Sequence, residues 1–598
     1  MGACSLIATL ALTGCGDPPA TPPATIPLAD AHAAAVNAIT VSPFPGTSDA
    51  SPTTQISFLG GPGTTVSAVH VVGSRSGTHS GELEAYSTGT GESFLVSRPF
   101  QSGEHVHVSA VVGSGGSAQT VHTSFSIAFQ APIAQQQFPL KPGDDAAVQH
   151  YLSAPTLTPS TVTITTPAQP GATPGDFFLA PYQGKGSPGP MIVSQSGQLI
   201  WFHPLPADES ATNFQVQQYE GQPVLTWWQG RVLQLGFGQG EDEIYNTSYQ
   251  PVAVVKAGNG YQADLHEVLL TPQGTAWIDA FDPVEMNLSK MRGSAHAVVS
   301  DGIVQEIDIK TGLVMWEWHA FGHIPLHDSH SPMPHTSNPW DYVHINSIDP
   351  GNSDDLLLSS RNTWALYDVS LHSGAIIWRL GGDYSSFKRG PGTKFYWQHD
   401  AAWQPNGEIS VFDNGSSPPE EKQSRGLLLA PDLATRTVSL VEQFTNPTKT
   451  LLASSQGDLV NLGDGNWLMG YGGLPNFTEY NSAGAVLFDA TLGLDVQDFR
   501  TYLDPWTGRP TTAPSIAAQA GSGGSVTVEA SWNGATSVAS WELLAGSAPT
   551  SLTAIKTVPE TGFETTITAT VTAPYVAVVA LDSGGQTLGT SSAITPSS

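Results

Sequence analysis

The chain is 598 residues long and carries 21 Lys and Arg against 51 Asp and Glu, a formal net charge of −30 although only 12% of its residues are charged. That length is enough for several domains with sizeable cores. A balance this acidic argues against nucleic acid or anionic membrane surfaces as partners. It also repels anions at long range, so any anion site needs positive charge concentrated locally.

Both cysteines, Cys4 and Cys15, stand near the start, so the rest of the chain has no disulfide. Residues 1–15 are an apolar run ending in Leu12-Thr13-Gly14-Cys15. The run is too short to span a bilayer and reads as a secretory leader. Its end resembles a bacterial lipoprotein cleavage box, which implies lipidation of Cys15, although the usual Lys/Arg-bearing start is missing. A Pro/Thr/Ala tether over 16–33 follows. The expectation is an extracytoplasmic protein, secreted or held at the cell surface, touching a membrane only through that anchor.

Residues 34–135 alternate apolar and polar between Gly, Pro and Ser turns, as in Ala68-Val-His70-Val-Val and His105-Val-His107-Val-Ser-Ala-Val-Val112. The spacing predicts a small immunoglobulin-like β-sandwich. His70, His105, His107 and His122 read as strand-face residues because no partner stands beside them at metal spacing.

Over 136–511 a degenerate unit recurs: an apolar strand, a Gly-bearing turn, and a strand ending in an aromatic residue. Met191 to Trp201, Ile307 to Trp316, Leu366 to Trp378 and Glu479 to Phe488 are instances. Four-strand units of roughly fifty residues without helical periodicity predict a β-propeller, and a repeat region of about 335 residues gives six or seven blades, of which six is taken. Residues 512–598 return to Thr/Val/Ser alternation and predict a second small sandwich, immunoglobulin- or fibronectin-like, with no catalytic group.

Innermost propeller strands point toward one axial funnel. His266, His344 and His399 each begin a strand, turn, strand hairpin in successive repeats. Arg361 follows His344 across one hairpin. Imidazoles and a guanidinium converging there suit an anionic, acyl-like group, with histidine as nucleophile and arginine as a planar clamp for oxygens. Tyr396, Trp397, Trp364 and Tyr342 are candidates to line an aromatic pocket, or are core. His319, His323, His327, Asp328, His330 and His335 fall in one loop, but their spacing matches no defined metal motif, so the loop is expected at the funnel rim without a metal.

The segments His344-Ile-Asn346-Ser-Ile-Asp, Ser359-Ser-Arg361-Asn-Thr-Trp, Ile377-Trp-Arg379-Leu-Gly-Gly, Trp397-Gln-His399-Asp-Ala and Pro505-Trp-Thr-Gly-Arg509-Pro, in this order, resemble the bacterial arylsulfotransferase family. The resemblance runs from about residue 175 to 510. It implies a six-bladed propeller acting outside the cytoplasm that moves a sulfuryl group between phenols with no nucleotide donor and no cofactor. By matching positions it implies that His399 is the sulfated histidine and that His344, Asn346, Arg361 and His266 hold the sulfate. A threonine that contacts the sulfuryl group in the family has no clear match. The family's disulfide is missing, so details of loop anchoring and of chain pairing do not carry over. The partners implied are a small phenolic donor and acceptor, with oligomerisation left open. Two other classes remain: a quinone-cofactor propeller dehydrogenase and a noncatalytic surface binding propeller.

Overall fold

The computed structural model describes residues 39–114, 117–334, 338–351 and 354–597. The leader, Cys4, Cys15, the 16–33 tether and His335 lie outside them. Among the described residues the chain is all-β, with strands, a few single 3-10 turns and no α-helix.

At the N-terminal end two four-stranded sheets face each other. One is Thr40–Ser42, Ile56–Leu59, Gly91–Val96 and Gly81–Ala85; the other is Gly77–His79, Thr65–Gly73, His105–Ser114 and Ser117–Ser126. The alternation sets what is inside. Val106, Val108, Ala110 and Val112 enter a core with Ile56, Phe58 and Phe94, while His70, His105, His107 and His122 face solvent. At the other end, three strands (Ser515–Ala520, Ser525–Ser531, Glu564–Thr570) pack on four (Ser551–Pro559, Ser540–Ala548, Tyr575–Leu581, Thr587–Thr590) around Val528, Trp541, Ile567 and Val578.

Between them the chain forms antiparallel meanders. Ile345–Asp349, Asp355–Ser360, Ala365–Ser370 and Ile376–Gly381 make one four-stranded sheet. His399–Trp403, Ile409–Asp413, Arg425–Asp432 and Thr437–Phe444 make the body of the next, and Asp458–Asn461, Trp467–Gly470, Asn476–Tyr480 and Val486–Leu492 that of another. A larger nine-stranded sheet covers residues 210–319 together with Trp340–Asp341; its two halves meet at the single pair Gly240 and Ala263. Two pairings join distant parts of the chain. Asp176–Leu179 bonds to Met191–Ser194 on one side and to Tyr502–Asp504 on the other, and Val162–Thr166 bonds to Val486–Leu492.

Aromatic strand ends fill the spaces between these units, where each buries a large apolar area. Trp277, Trp316 and Trp318 pack on Ile348, Leu356 and Tyr367; Trp378 and Leu366 on Ile409 and Leu427; Phe412 and Phe444 on Trp467 and Tyr480. Phe477 and Phe488 then pack on Phe177 and Met191, returning to the start of the region. First strands lie beside first strands: Ser210–Tyr219 against Ala263–Leu270, that against Ile345–Asp349, and that against His399–Trp403. This adjacency brings together residues more than a hundred positions apart.

Candidate active site

Three histidines and an arginine from these strands and their leading turns surround a cavity of about 210 Å3. His266 comes from Ala263–Leu270, His344 immediately precedes Ile345–Asp349, His399 opens His399–Trp403, and Arg361 follows Asp355–Ser360. Ring centroids are 4.7 Å apart for His266 and His344 and 6.4 Å for His344 and His399. All three rings are buried.

His399 is held in one orientation. Its Nδ1 lies 2.7 Å from Asn414 Oδ1. Asn414 directs its amide hydrogens to the carbonyls of Gln456 at 2.9 Å and Ala453 at 3.3 Å, so its oxygen faces the ring. Nδ1 therefore carries the hydrogen and Nε2 the lone pair. The backbone N–H of Gln456 donates to that lone pair at 3.1 Å. Burial, then the charge of Arg361 and the neighbouring His344, hold His399 well below the usual histidine range. It is a neutral imidazole with a basic nitrogen at the cavity.

His344 pairs its Nδ1 with Asp341 at 2.7 Å. Burial lowers its pKa, and Asp341 opposes that shift. His266 pairs its Nδ1 with Asp264, which also accepts from the Gly238 N–H, and Asp279 stands 3.8 Å away. The Nε2 atoms of both rings have no hydrogen-bond partner among the described residues, and both rings border the cavity. Arg361 donates to Ser454 O at 3.1 Å and to Asn362, and its guanidinium lies 4.9 Å over the Trp397 ring. Burial brings its pKa down to about 10, which leaves it charged.

Backbone strain concentrates here. His344 (φ 54°), Trp364 (φ 52°), Trp397 (φ 57°), Asp400 (φ 51°) and Gln456 (φ 64°) are left-handed although none is glycine. Such conformations cost of order 1–3 kcal/mol each and persist where surrounding structure imposes them. They also break the alternation. With Trp397 left-handed, its ring slides under Arg361, while His399 two residues later faces the cavity.

The aromatic residues expected along the pocket sit elsewhere. Trp364 stacks on His330 at 3.5 Å and meets Tyr396 and Trp397 edge-on, forming a cluster behind Arg361. Tyr342 is buried against Phe321. Asn346 lies one layer below the cavity: its side-chain amide donates to Gln398 O at 2.7 Å, and its backbone carbonyl accepts from Arg500. The apolar lining comes instead from Phe138, Val232, Leu235, Leu265 and Phe499, with Tyr182, Ser455, Gln456 and Gln497 adding polar groups. Phe138 and the 232–236 turn belong to segments that no motif marked. Ser455 adjoins the cavity, and the family's threonine remains without a match.

Beneath this layer Arg500 holds Glu267 at 3.1 Å through both carboxylate oxygens and stands 3.5 Å from Asp400. Burial raises the Glu267 carboxyl to about 7. His319, His323 and His330 do not gather at a rim. His319 turns into the interior, His323 stacks on Trp318, and His330 stacks on Trp364. Among the described residues two groups bring metal-capable atoms together: Asp264, His266 and Asp279 at the back of the cavity, and Asp49, Asp301 and His319.

Residues 215–493 match the arylsulfotransferase (ASST) family model. That match, over a little under half of the chain, supports a relationship to the arylsulfotransferase family. No curated protein matches the chain. Among solved structures it is similar to an auxiliary nutrient binding protein from Bacteroides ovatus, at 12% identity over 79% of this chain and 92% of that one, with a TM-score of 0.27. It is also similar to a quinonprotein alcohol dehydrogenase-like protein from Bacteroides thetaiotaomicron, at 9% identity over 94% and 99%, with a TM-score of 0.23. Likeness of that degree carries no argument about fold or function. The arylsulfotransferase match covers the strands that bear His266, His344, Arg361 and His399. No helix among the described residues is long and apolar enough to cross a membrane.

Proposed function

We propose that the chain is a six-bladed propeller flanked by immunoglobulin-like modules, acting outside the cytoplasm, and that it transfers a sulfuryl group from an aryl sulfate to a phenol through His399. The observation that carries this reading is the state of His399: neutral, oriented through Nδ1 by an amide oxygen, with its basic Nε2 at a cavity that also holds Arg361, His344 and His266.

In the first half-reaction the Nε2 lone pair forms a bond to sulfur while the bond from sulfur to the aryl oxygen breaks. The electron pair leaves with the phenolate oxygen, which takes a proton from the imidazolium form of His344. The sulfuryl group in flight is nearly planar, with its charge on three oxygens, so positioning and fixed donors matter most, as in phosphoryl transfer. Arg361, His266 and the Gln456 N–H are those donors. Asn414 leaves the Nδ1 hydrogen on the ring, so sulfated His399 keeps the character of an imidazolium and remains a good leaving group. In the second half-reaction neutral His344 takes the proton of an acceptor phenol, whose oxygen displaces Nε2 from sulfur. Donor and acceptor occupy one cavity in turn, which gives ping-pong kinetics.

Incubation with 4-nitrophenyl sulfate is expected to add one sulfuryl mass to the peptide containing His399, and phenol is expected to remove it. An unmodified intact mass together with full turnover in His399→Ala would falsify the mechanism. Absorbance of the purified protein separates the quinone-cofactor reading, which requires a visible chromophore. For the start of the chain, a lipid-modified Cys15 in the mature protein is the corresponding expectation.

A further inference from the structure

Far along the chain from the transfer residues, Asp49, in the loop after Thr40–Ser42, reaches the central region and meets His319 and Asp301. Asp301 Oδ2 lies 2.9 Å and Asp49 Oδ2 3.3 Å from the same ring nitrogen, His319 Nδ1. All three donor atoms fall within 4.8 Å of one another, and all three residues are buried. A ring nitrogen carries one hydrogen, so it cannot serve two carboxylate oxygens equally well.

The surroundings make the charge imbalance larger. Glu317 and Asp282 are buried in the same place. Four carboxyl groups thus face a single imidazole, and among the described residues no lysine or arginine pairs with any of them. Charges taken from water need a counter-charge or a metal.

Two further observations point to a ligand. His319 Nε2 lies 3.2 Å from Glu317 Oε1, and Glu317 is itself held by Asn259 at 2.7 Å and Gln305 at 2.6 Å. A carboxylate fixing the far nitrogen of an imidazole is the arrangement that orients metal-ligating histidines. In addition, Tyr261 is buried against the His319 ring, its hydroxyl is exposed to the charges of Glu317, Asp282, Asp49 and Asp301, and yet it has no hydrogen-bond partner.

We propose that Asp49, Asp301 and His319 bind a divalent transition-metal cation that ties the N-terminal sheets to the central region, with Glu317 orienting His319 and the Tyr261 hydroxyl facing a metal-bound water. Mixed carboxylate and imidazole donors suit Zn2+ or Mn2+ better than the all-oxygen shells of Ca2+ and Mg2+. The role is structural and does not rest on the sulfuryl-transfer reading. It also revises the expectation that no metal is bound, which weighed His319 only against its neighbours in sequence.

The test uses the full chain, dialysed against EDTA and then titrated with Zn2+, Mn2+ or Ca2+ alone. Elemental analysis is expected to find one equivalent of Zn2+ or Mn2+ per chain, with a fall in Tm on chelation that the same ion reverses. Asp49→Asn and Asp301→Asn are expected to abolish binding. Glu317→Gln, a change of the same size away from the ligand atoms, is expected to weaken affinity on the order of 10- to 100-fold. Asp279→Asn, in the other cluster, should leave it unchanged. An identical Tm with and without each ion, response to Ca2+ alone, or binding that survives Asp49→Asn and Asp301→Asn would overturn the proposal and leave protons as the cluster's counter-charge.

Discussion

The neighbouring first strands carry two charged clusters, an upper one at the cavity and a lower one beneath it, and they differ in how fully they are paired. In the lower one, Arg500 divides its guanidinium among Glu267, Asp400 and the Asn346 carbonyl, linking three neighbouring first strands. In the upper one, His266 and His344 each engage one nitrogen with a carboxylate and leave the other at the cavity, while His399 offers a lone pair to a single backbone N–H. The left-handed residues crowd around the upper cluster. Charge that is satisfied internally fixes the strands relative to one another, and charge left partly unsatisfied on that fixed frame is available to a ligand. Low pKa values appear above and raised carboxyls below for the same first cause, burial.

Breaking the upper cluster should stop chemistry without unfolding the chain. His399→Ala is expected to lower turnover of 4-nitrophenyl sulfate by at least about 10⁴-fold, as loss of a covalent nucleophile does, with an unchanged denaturant midpoint; turnover within tenfold of the parent sinks the assignment. Breaking the lower cluster should do the reverse. Arg500→Met leaves Glu267 and Asp400 buried without their partner and is expected to cost about 3–5 kcal/mol of stability, read as a drop in urea midpoint. A smaller effect comes from Arg361→Gln, expected to reduce kcat roughly 10²- to 10³-fold through loss of a preorganised donor. It should also move the acidic limb of the rate profile upward, because Arg361 is one of the charges that depress His399. In the parent enzyme that limb should lie below the ordinary histidine value near 6.5, since only the neutral ring attacks.

The mildest prediction concerns pH and the buried carboxyls. Burial lifts Glu267 and Asp498 to about 7 and Asp368 to about 8. Unfolded, these groups titrate near 4. Between those values the folded chain binds more protons than the unfolded one, so this contribution to stability is full below about pH 4 and is lost as pH rises through 7 to 8. Guanidinium midpoints should therefore be lower at pH 8 than at pH 5.5, and a midpoint that climbs over that interval contradicts the raised carboxyls.

The all-β architecture was legible because period-two runs such as His105–Ser114 state which side chains go inward, and the resemblance to the arylsulfotransferase family was legible because its motifs are contiguous. The gathering of His266, His344, His399 and Arg361 followed from their shared place in successive repeats. The aromatic lining was not legible. Alternation assigns Trp397 to the same face as His399, and a left-handed φ at Trp397 undoes that assignment, which sequence pattern does not encode. Phe138 and Gln456 reach the cavity from segments without periodicity. Asp49 escaped notice for another reason: its partners are more than 250 residues away, at distances of 270 positions for His319, beyond any spacing rule.

The pairings of Val162–Thr166 with Val486–Leu492, and of Asp176–Leu179 with Tyr502–Asp504, have a bearing on how the molecule comes into being. Each seam waits for a partner made more than three hundred residues later, so during synthesis the central region stays unlatched until almost all of it has emerged. A ribosome product halted short of residue 486 would possess every histidine discussed above and neither of the fasteners that hold them in register.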